Sequence, residues 1–124
     1  MAAALLLHRA GHEVVLFERF EQARPIGSGL MLQPTGLAVL RKLGLADRLI
    51  AHGARIDRLF GQTADDARVI LDVHYAALGK ADRFGLGTHR ADLFAALFEA
   101  ASAAGIPVRT GQTLIGSTLV GARR

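Results

Sequence analysis

The sequence predicts an α/β domain built on a parallel sheet, a reading carried by its first nineteen residues and its overall composition. Residues 2–10 (AAALLLHRA) are strong helix formers with no breaker before Gly11, which stands where a glycine stop belongs. His12 to Arg19 (HEVVLFER) follows as a short apolar run of β-branched and aromatic type, the pattern of a strand buried on both faces. Strands of that kind belong to parallel sheets. The 124 residues, 51% hydrophobic and 21% charged, allow one domain with a modest core and an ordinary globular composition.

The remaining elements follow in order. The first helix has no Ser, Thr, Asp or Asn cap and no strand before it, so the chain is expected to start inside an element, as the second half of a βαβ unit. Residues 20–29 (FEQARPIGSG) lack periodicity and carry Pro25, Gly27 and Gly29, which predicts a loop that turns sharply or approaches something closely. Pro34 opens an amphipathic helix with Leu37, Leu40 and Leu43 and a stop at Gly44; Ala46 to Ile50 continues as a shorter one. Between Arg55 and Tyr75 the pattern changes to alternation. Val69, Leu71 and Val73 predict a strand paired across the turn at residues 64–67 with the strand before it, one face wet and one buried. A helix from about His89 to Ala104 puts Leu93, Phe94, Leu97, Phe98 and Ala101 on one stripe, with Asp92 complementing its dipole and Gly105 stopping it. Residues 106–109 and 114–120 read as two further strands.

Composition excludes several chemistries. The absence of cysteine removes disulfides, thiolate metal sites and cysteine nucleophiles. The longest apolar run, Met1 to Leu7, is about a third of the ~20 residues a membrane-spanning helix needs, so a soluble cytoplasmic protein is expected. The net charge of +4 comes from arginines scattered along the chain, often beside an acid, rather than from a clustered face that would suit nucleic acid. The five histidines show no metal-ligand spacing, and no GxSxG elbow or Ser-His-Asp arrangement is present.

Three features could carry chemistry. Glu18 ends the predicted second strand of the βαβ unit, where an acid accepts hydrogen bonds from both ribose hydroxyls of an adenosine and repels a 2′-phosphate, favouring FAD or NAD over NADP. The alternative is a strand-end acid paired with Arg19 or Arg24. In Gly27-Ser28-Gly29 the glycines let backbone amides approach a flat ring or a pyrophosphate; an ordinary flexible loop fits the same residues. Arg90 stands at a helix N-terminus, where its fork and the dipole act on the same anion; a salt bridge to Asp92 or Glu99 is the other reading.

Taken together and in this order, HRAGHEVVLFER, RPIGSGLMLQPTGLAVLRKLGL and GTHRADLFAALFEAA followed by GIPVRTG resemble the N-terminal region of the FAD-dependent aromatic-ring monooxygenases of the p-hydroxybenzoate, salicylate and kynurenine hydroxylase type. The resemblance covers nearly the whole chain. It implies a Rossmann-like FAD-binding domain, three-layered with a parallel sheet, followed by the start of the sheet that covers substrate. Residues 1–124 would then be one truncated domain, with 55–75 a hairpin belonging to the substrate side. By the same resemblance Glu18 binds the adenosine ribose, Arg19 lies along the adenosine and pyrophosphate, Gly27 and Gly29 pass near the flavin, and Arg90 contacts FAD. NAD(P)H would reduce the flavin and O2 would supply the oxygen that hydroxylates an aromatic or related small molecule.

The family's first strand and GxGxxG loop have no counterpart here, nor have its later Asp-Gly and Gly-Asp blocks. The chain is therefore expected to be an internal fragment without turnover of its own. A non-hydroxylating flavoprotein, such as a reductase or halogenase, or an inactive binding module remains the alternative. The resemblance implies neither a catalytic acid or base nor an oligomeric state.

Overall fold

A computed structural model describes residues 1–79, 82–118 and 121. In chain order it contains α1 (Ala2–Arg9), β1 (Leu16–Phe17), β2 (Gly29–Leu32), α2 (Pro34–Leu43), α3 (Ala46–His52), β3 (Ala54–Ile56), β4 (Arg58–Gln62), β5 (Val69–His74), β6 (Gly85–His89), α4 (Arg90–Ala103) and β7 (Val108–Arg109). A 3-10 turn, Tyr75–Leu78, follows β5.

Three of the helices stop where glycine predicts, and by one mechanism. After α1 the amides of Gly11 and His12 return to the carbonyls of His8 and Leu7; after α2 those of Gly44 and Leu45 return to Arg41 and Leu40; after α4 those of Gly105 and Ile106 return to Ser102 and Ala101. This double closure needs a left-handed residue at its first position, and the three glycines adopt φ of 87°, 79° and 71°.

β1 and β7 pair in parallel, Leu16 against Val108 and Phe17 against Arg109, as the α/β reading requires. The rest of the strands are antiparallel: β2-β6-β3 forms one sheet and β4-β5 a hairpin. The expected burial of the first strand on both faces is not met. Leu16 packs beside α1 and α4, but Phe17 points the other way and is 61% exposed, because β1 has one strand neighbour among the described residues and no layer over its second face.

The core has two adjoining parts. Leu37 and Leu40 of α2, Ala46 and Leu49 of α3, Phe84, Leu86 and Ala96 of α4 form one; Ala4, Leu5, Leu43, Ala101 and Ile106 form the other. Leu45 and Leu97 touch both.

Strands β2 and β6 escaped the sequence pattern because glycine supplies several of their residues, Gly29, Gly85 and Gly87. Neighbours fill the space side chains would take. A Cβ on Gly85 would lie 3.1 Å from the Tyr75 ring, and one on Gly87 3.6 Å from the Ala54 carbonyl and the Ile56 side chain.

Two further expectations are corrected. The hairpin forms across the expected turn, but β5 is exposed along its whole length, so neither face is buried: the hairpin projects from the body and no described element packs over it. The stretch 114–118 forms no strand; beyond the left-handed turn at Gly111, Leu114 and Ile115 are exposed and meet no partner strand, while residues 119 and 120 lie outside the described residues. No helix among the described residues is long and apolar enough to cross a membrane.

Candidate functional site

Glu18 follows directly on β1, and the β1–β7 pairing continues through it: its amide donates to the Arg109 carbonyl and its own carbonyl accepts from Gln112. The chain then turns at once, because Glu18 Oε1 accepts the amide of Phe20 at 3.0 Å. That local bond fixes the carboxylate at the strand end and leaves its second oxygen free to accept another donor.

The loop that follows rises along the N-terminal half of α4. Between them lies an open groove of about 410 Å³, with Glu18, Arg24 and Arg90 as its charged residues and Pro25, Ile26, Leu30 and the α4 side chains Leu93, Phe94 and Leu97 as its apolar wall. Of the predicted α4 stripe, Ala101 is buried, as is the neighbouring Ala96, whereas Leu93, Phe94, Leu97 and Phe98 are half-buried because one side of the stripe floors the groove. The Phe94 and Phe98 rings stack 5.3 Å apart, which stiffens this floor. A smaller cavity of about 240 Å³ shares Glu18 and Phe94 and continues toward Leu16, Phe17 and Val108.

Arg90 is placed by the antiparallel ladder. Gly29 pairs with His89, and one residue further on the Arg90 amide donates to the Ser28 carbonyl at 3.0 Å, so α4 begins where the β2–β6 sheet ends. The Arg90 side chain lies across Gly27, whose φ of 105° is a glycine conformation and whose missing Cβ would meet Arg90 Nε at 3.0 Å. The backbone thus favours glycine at position 27, and a side chain there would displace the guanidinium beside it.

The structure brings Glu18 and Arg90 to one groove, and sets Gly27 behind the Arg90 side chain without lining the groove itself. Gly29 sits at its edge, within β2, where an added Cβ would make only ordinary contact with the Thr88 carbonyl at 3.5 Å. Arg19 is exposed, with its guanidinium over the Phe20 ring at 4.6 Å, and does not line the groove. The alternative ion pairs are absent among the described residues: Glu18 pairs with neither Arg19 nor Arg24, and Glu99 pairs with Arg48 rather than Arg90. Arg24 is the residue that sequence reasoning missed. It entered only as a candidate partner for Glu18, and its position just before Pro25 was the available signal.

Chemically, the groove offers one carboxylate able to accept hydroxyl donors, two guanidinium groups with no ion-pair partner among the described residues, and an apolar floor. A ligand with a hydroxylated sugar, an anionic linker and a flat ring matches that set, whereas a metal ion does not; no group of acids and histidines suited to a metal occurs among the described residues.

A parallel strand pair backed by helices, with an acid at a strand end and a guanidinium at a helix N-terminus, defines a nucleotide-binding α/β domain. Residues 1–118 match the family model described as FAD binding domain, and the chain belongs to that family. It is 33% identical over 113 residues to 6-hydroxynicotinate 3-monooxygenase of Bordetella bronchiseptica, covering 85% of this chain and 28% of that protein. It is 29% identical over 114 residues to the FAD-dependent monooxygenase OpS4 of Beauveria bassiana, covering 90% of this chain and 27% of that protein. Its fold superimposes on the tetrameric form of 2-methyl-3-hydroxypyridine-5-carboxylic acid oxygenase with a TM-score of 0.71 at 23% identity, over 89% of this chain and 28% of that one. The chain therefore spans less than a third of the length of the proteins it matches.

Proposed function

We propose that this chain holds part of an FAD molecule in the groove between the Glu18 strand end and α4, and that the whole protein to which this domain belongs is an NAD(P)H-dependent monooxygenase of a small aromatic substrate. The observation that carries the first half is that Glu18 and Arg90, singled out from sequence, line a single groove, with Gly27 packed against the Arg90 side chain. The second half is supported by the relatives, whose names describe oxygenases, two of them of pyridine carboxylic acids.

In this reading the free oxygen of Glu18 accepts from ribose hydroxyls, and the Phe20 amide keeps the carboxylate turned toward them. Arg90, held against Gly27, and Arg24 on the facing loop supply the positive charge for the pyrophosphate, with Gly27 keeping the backbone low enough for close approach. Gly29 borders the same path, whereas Arg19, exposed and over the Phe20 ring, has no contact with the groove. The floor of Leu93, Phe94 and Leu97 excludes water from beneath the cofactor. Bound there, FAD would supply the redox chemistry between NAD(P)H and O2, one oxygen atom of which would enter the substrate while the other leaves as water.

The β4–β5 hairpin belongs, in the same proposal, to the sheet on the substrate side. Its apolar residues are open, Leu71 being 44% and Val73 43% exposed, which suits a surface that further chain or substrate covers. The protein is proposed to work in the cytoplasm.

Titration of the chain with FAD, followed by flavin fluorescence, tests the site. Glu18→Ala and Arg90→Ala should each weaken binding roughly tenfold or more, the loss of one charge-assisted hydrogen bond. Unchanged affinity in both variants overturns the assignment. The isolated chain should bind FAD without consuming O2 in the presence of NAD(P)H, and the reaction belongs to the longer protein.

A further inference from the structure

The β4–β5 hairpin is an arm with little support of its own. It forms its ladder with itself, its second strand is exposed throughout, and its charged pairs, Arg58 and His74 with Asp72 and Arg68 with Asp66, lie within it. It joins the body through β3 at one end, by way of Asp57, and through the 3-10 turn that opens at Tyr75 at the other. Tyr75 is unlike the residues before it. It is only 4% exposed, its amide donates to the Asp57 carbonyl and so closes the base of the hairpin, and its ring lies under Gly85 of β6, where a side chain would collide with it. Its hydroxyl donates to Gln33 Oε1 at 2.6 Å.

Gln33 stands between β2 and α2, as the residue that precedes Pro34. Its side chain caps no helix amide, so the hydrogen bond from Tyr75 is the one role the structure gives its carbonyl oxygen. β2 begins at Gly29, at the border of the groove, and pairs with β6, which runs directly into Arg90 at the start of α4. A bond from the base of the arm to Gln33 therefore joins the hairpin to the strand-to-helix joint of the groove-bearing body.

We propose that the Tyr75–Gln33 hydrogen bond is a latch that sets the angle of the β4–β5 arm against the body, with Tyr75 acting as a positioning residue. The bond is short, part-buried and joins residues 42 apart in sequence, and it acts where the arm pivots. The geometry does not depend on what occupies the groove.

Hydrogen exchange on the intact chain tests the latch, using Tyr75→Phe, Gln33→Ala and the double variant. Tyr75→Phe keeps the buried ring, and Gln33→Ala removes no helix cap, so both are expected to fold. Amides of β4 and β5 should exchange roughly five- to tenfold faster in each single variant, the equivalent of one neutral hydrogen bond. Amides of α1, α2 and α4 should keep wild-type rates, and the double variant should be no faster than either single one. Uniform acceleration in all elements would reveal plain loss of stability and overturn the latch. So would unchanged hairpin exchange, or single effects that add in the double variant.

Discussion

Replacing Gly27 with alanine probes the contact between the loop and the Arg90 side chain. The residue sits at φ 105°, where an L side chain is strained, and its new Cβ would stand 3.0 Å from Arg90 Nε and 3.4 Å from Arg90 Cδ. The backbone strain alone costs about 1–2 kcal/mol. The contact adds little to that, since Arg90 is flexible and can swing away, but the swing takes the guanidinium from its place over the loop. Two readouts follow. In urea denaturation Gly27→Ala should lower stability by about 1–2 kcal/mol, seen as a lower midpoint at unchanged slope. In FAD titration it should weaken binding as much as Arg90→Ala does, and the double variant should bind no more weakly than Arg90→Ala alone, because both substitutions remove the same guanidinium. A Gly27→Ala protein with wild-type stability would refute the strain. Wild-type FAD affinity would refute the claim that Gly27 exists to seat Arg90.

Other expectations follow from the packing and charge. Leu37→Ala, at a fully buried core position, should cost about 2–5 kcal/mol, whereas Leu71→Ala on the open hairpin should change stability by less than about 0.5 kcal/mol; comparable losses would mean that the hairpin face is covered. The Thr88 hydroxyl is buried without a partner among the described residues, so Thr88→Val should leave stability unchanged or raise it by up to about 1–2 kcal/mol, and a clear loss in thermal melts would show that the oxygen has a partner. Asp72 is held below the usual carboxylate range by its hydrogen bonds from Arg58, with the charges of Arg58 and His74 adding to the effect. A depressed acid stabilises the fold above its unfolded pKa and loses that contribution as pH falls through the folded value. The acid limb of the hairpin's stability, below about pH 4, should therefore flatten in Asp72→Asn, measured by exchange of β4 and β5 amides from pH 5 downward.

Legibility in the sequence tracked how directly each residue's identity served a local need. The helix stops at Gly11, Gly44 and Gly105 were readable because a left-handed cap leaves almost no choice but glycine. The hairpin was readable from its alternation, and so was the placement of Glu18 at a strand end and of Arg90 at a helix start. β2 and β6 were not readable, since their glycines answer to the Tyr75 ring and to β3 rather than to strand propensity. Periodicity gave the apolar stripe of α4 but could not tell a groove floor from a core, a distinction made by the loop at residues 24–26 and not by the helix. For the same reason alternation in β5 predicted a buried face that no neighbouring element supplies. Tyr75 and Gln33, 42 residues apart, leave no trace in any local pattern.

Arg90 is positioned through strand registration, Gly29 opposite His89 and Leu32 opposite Leu86, with the helix beginning at the next residue. That makes the chain's tolerance of insertions and deletions uneven. One residue gained or lost in β2 or β6 would shift the guanidinium by about 3.3 Å along the sheet and turn the buried Leu86 side chain outward, removing the site and part of the core together. One residue added at the hairpin tip, in the exposed turn at 64–67, alters neither. Length variation among homologous domains is thus expected to collect at that tip and to be absent between Gly29 and Leu32 and between Gly85 and Arg90.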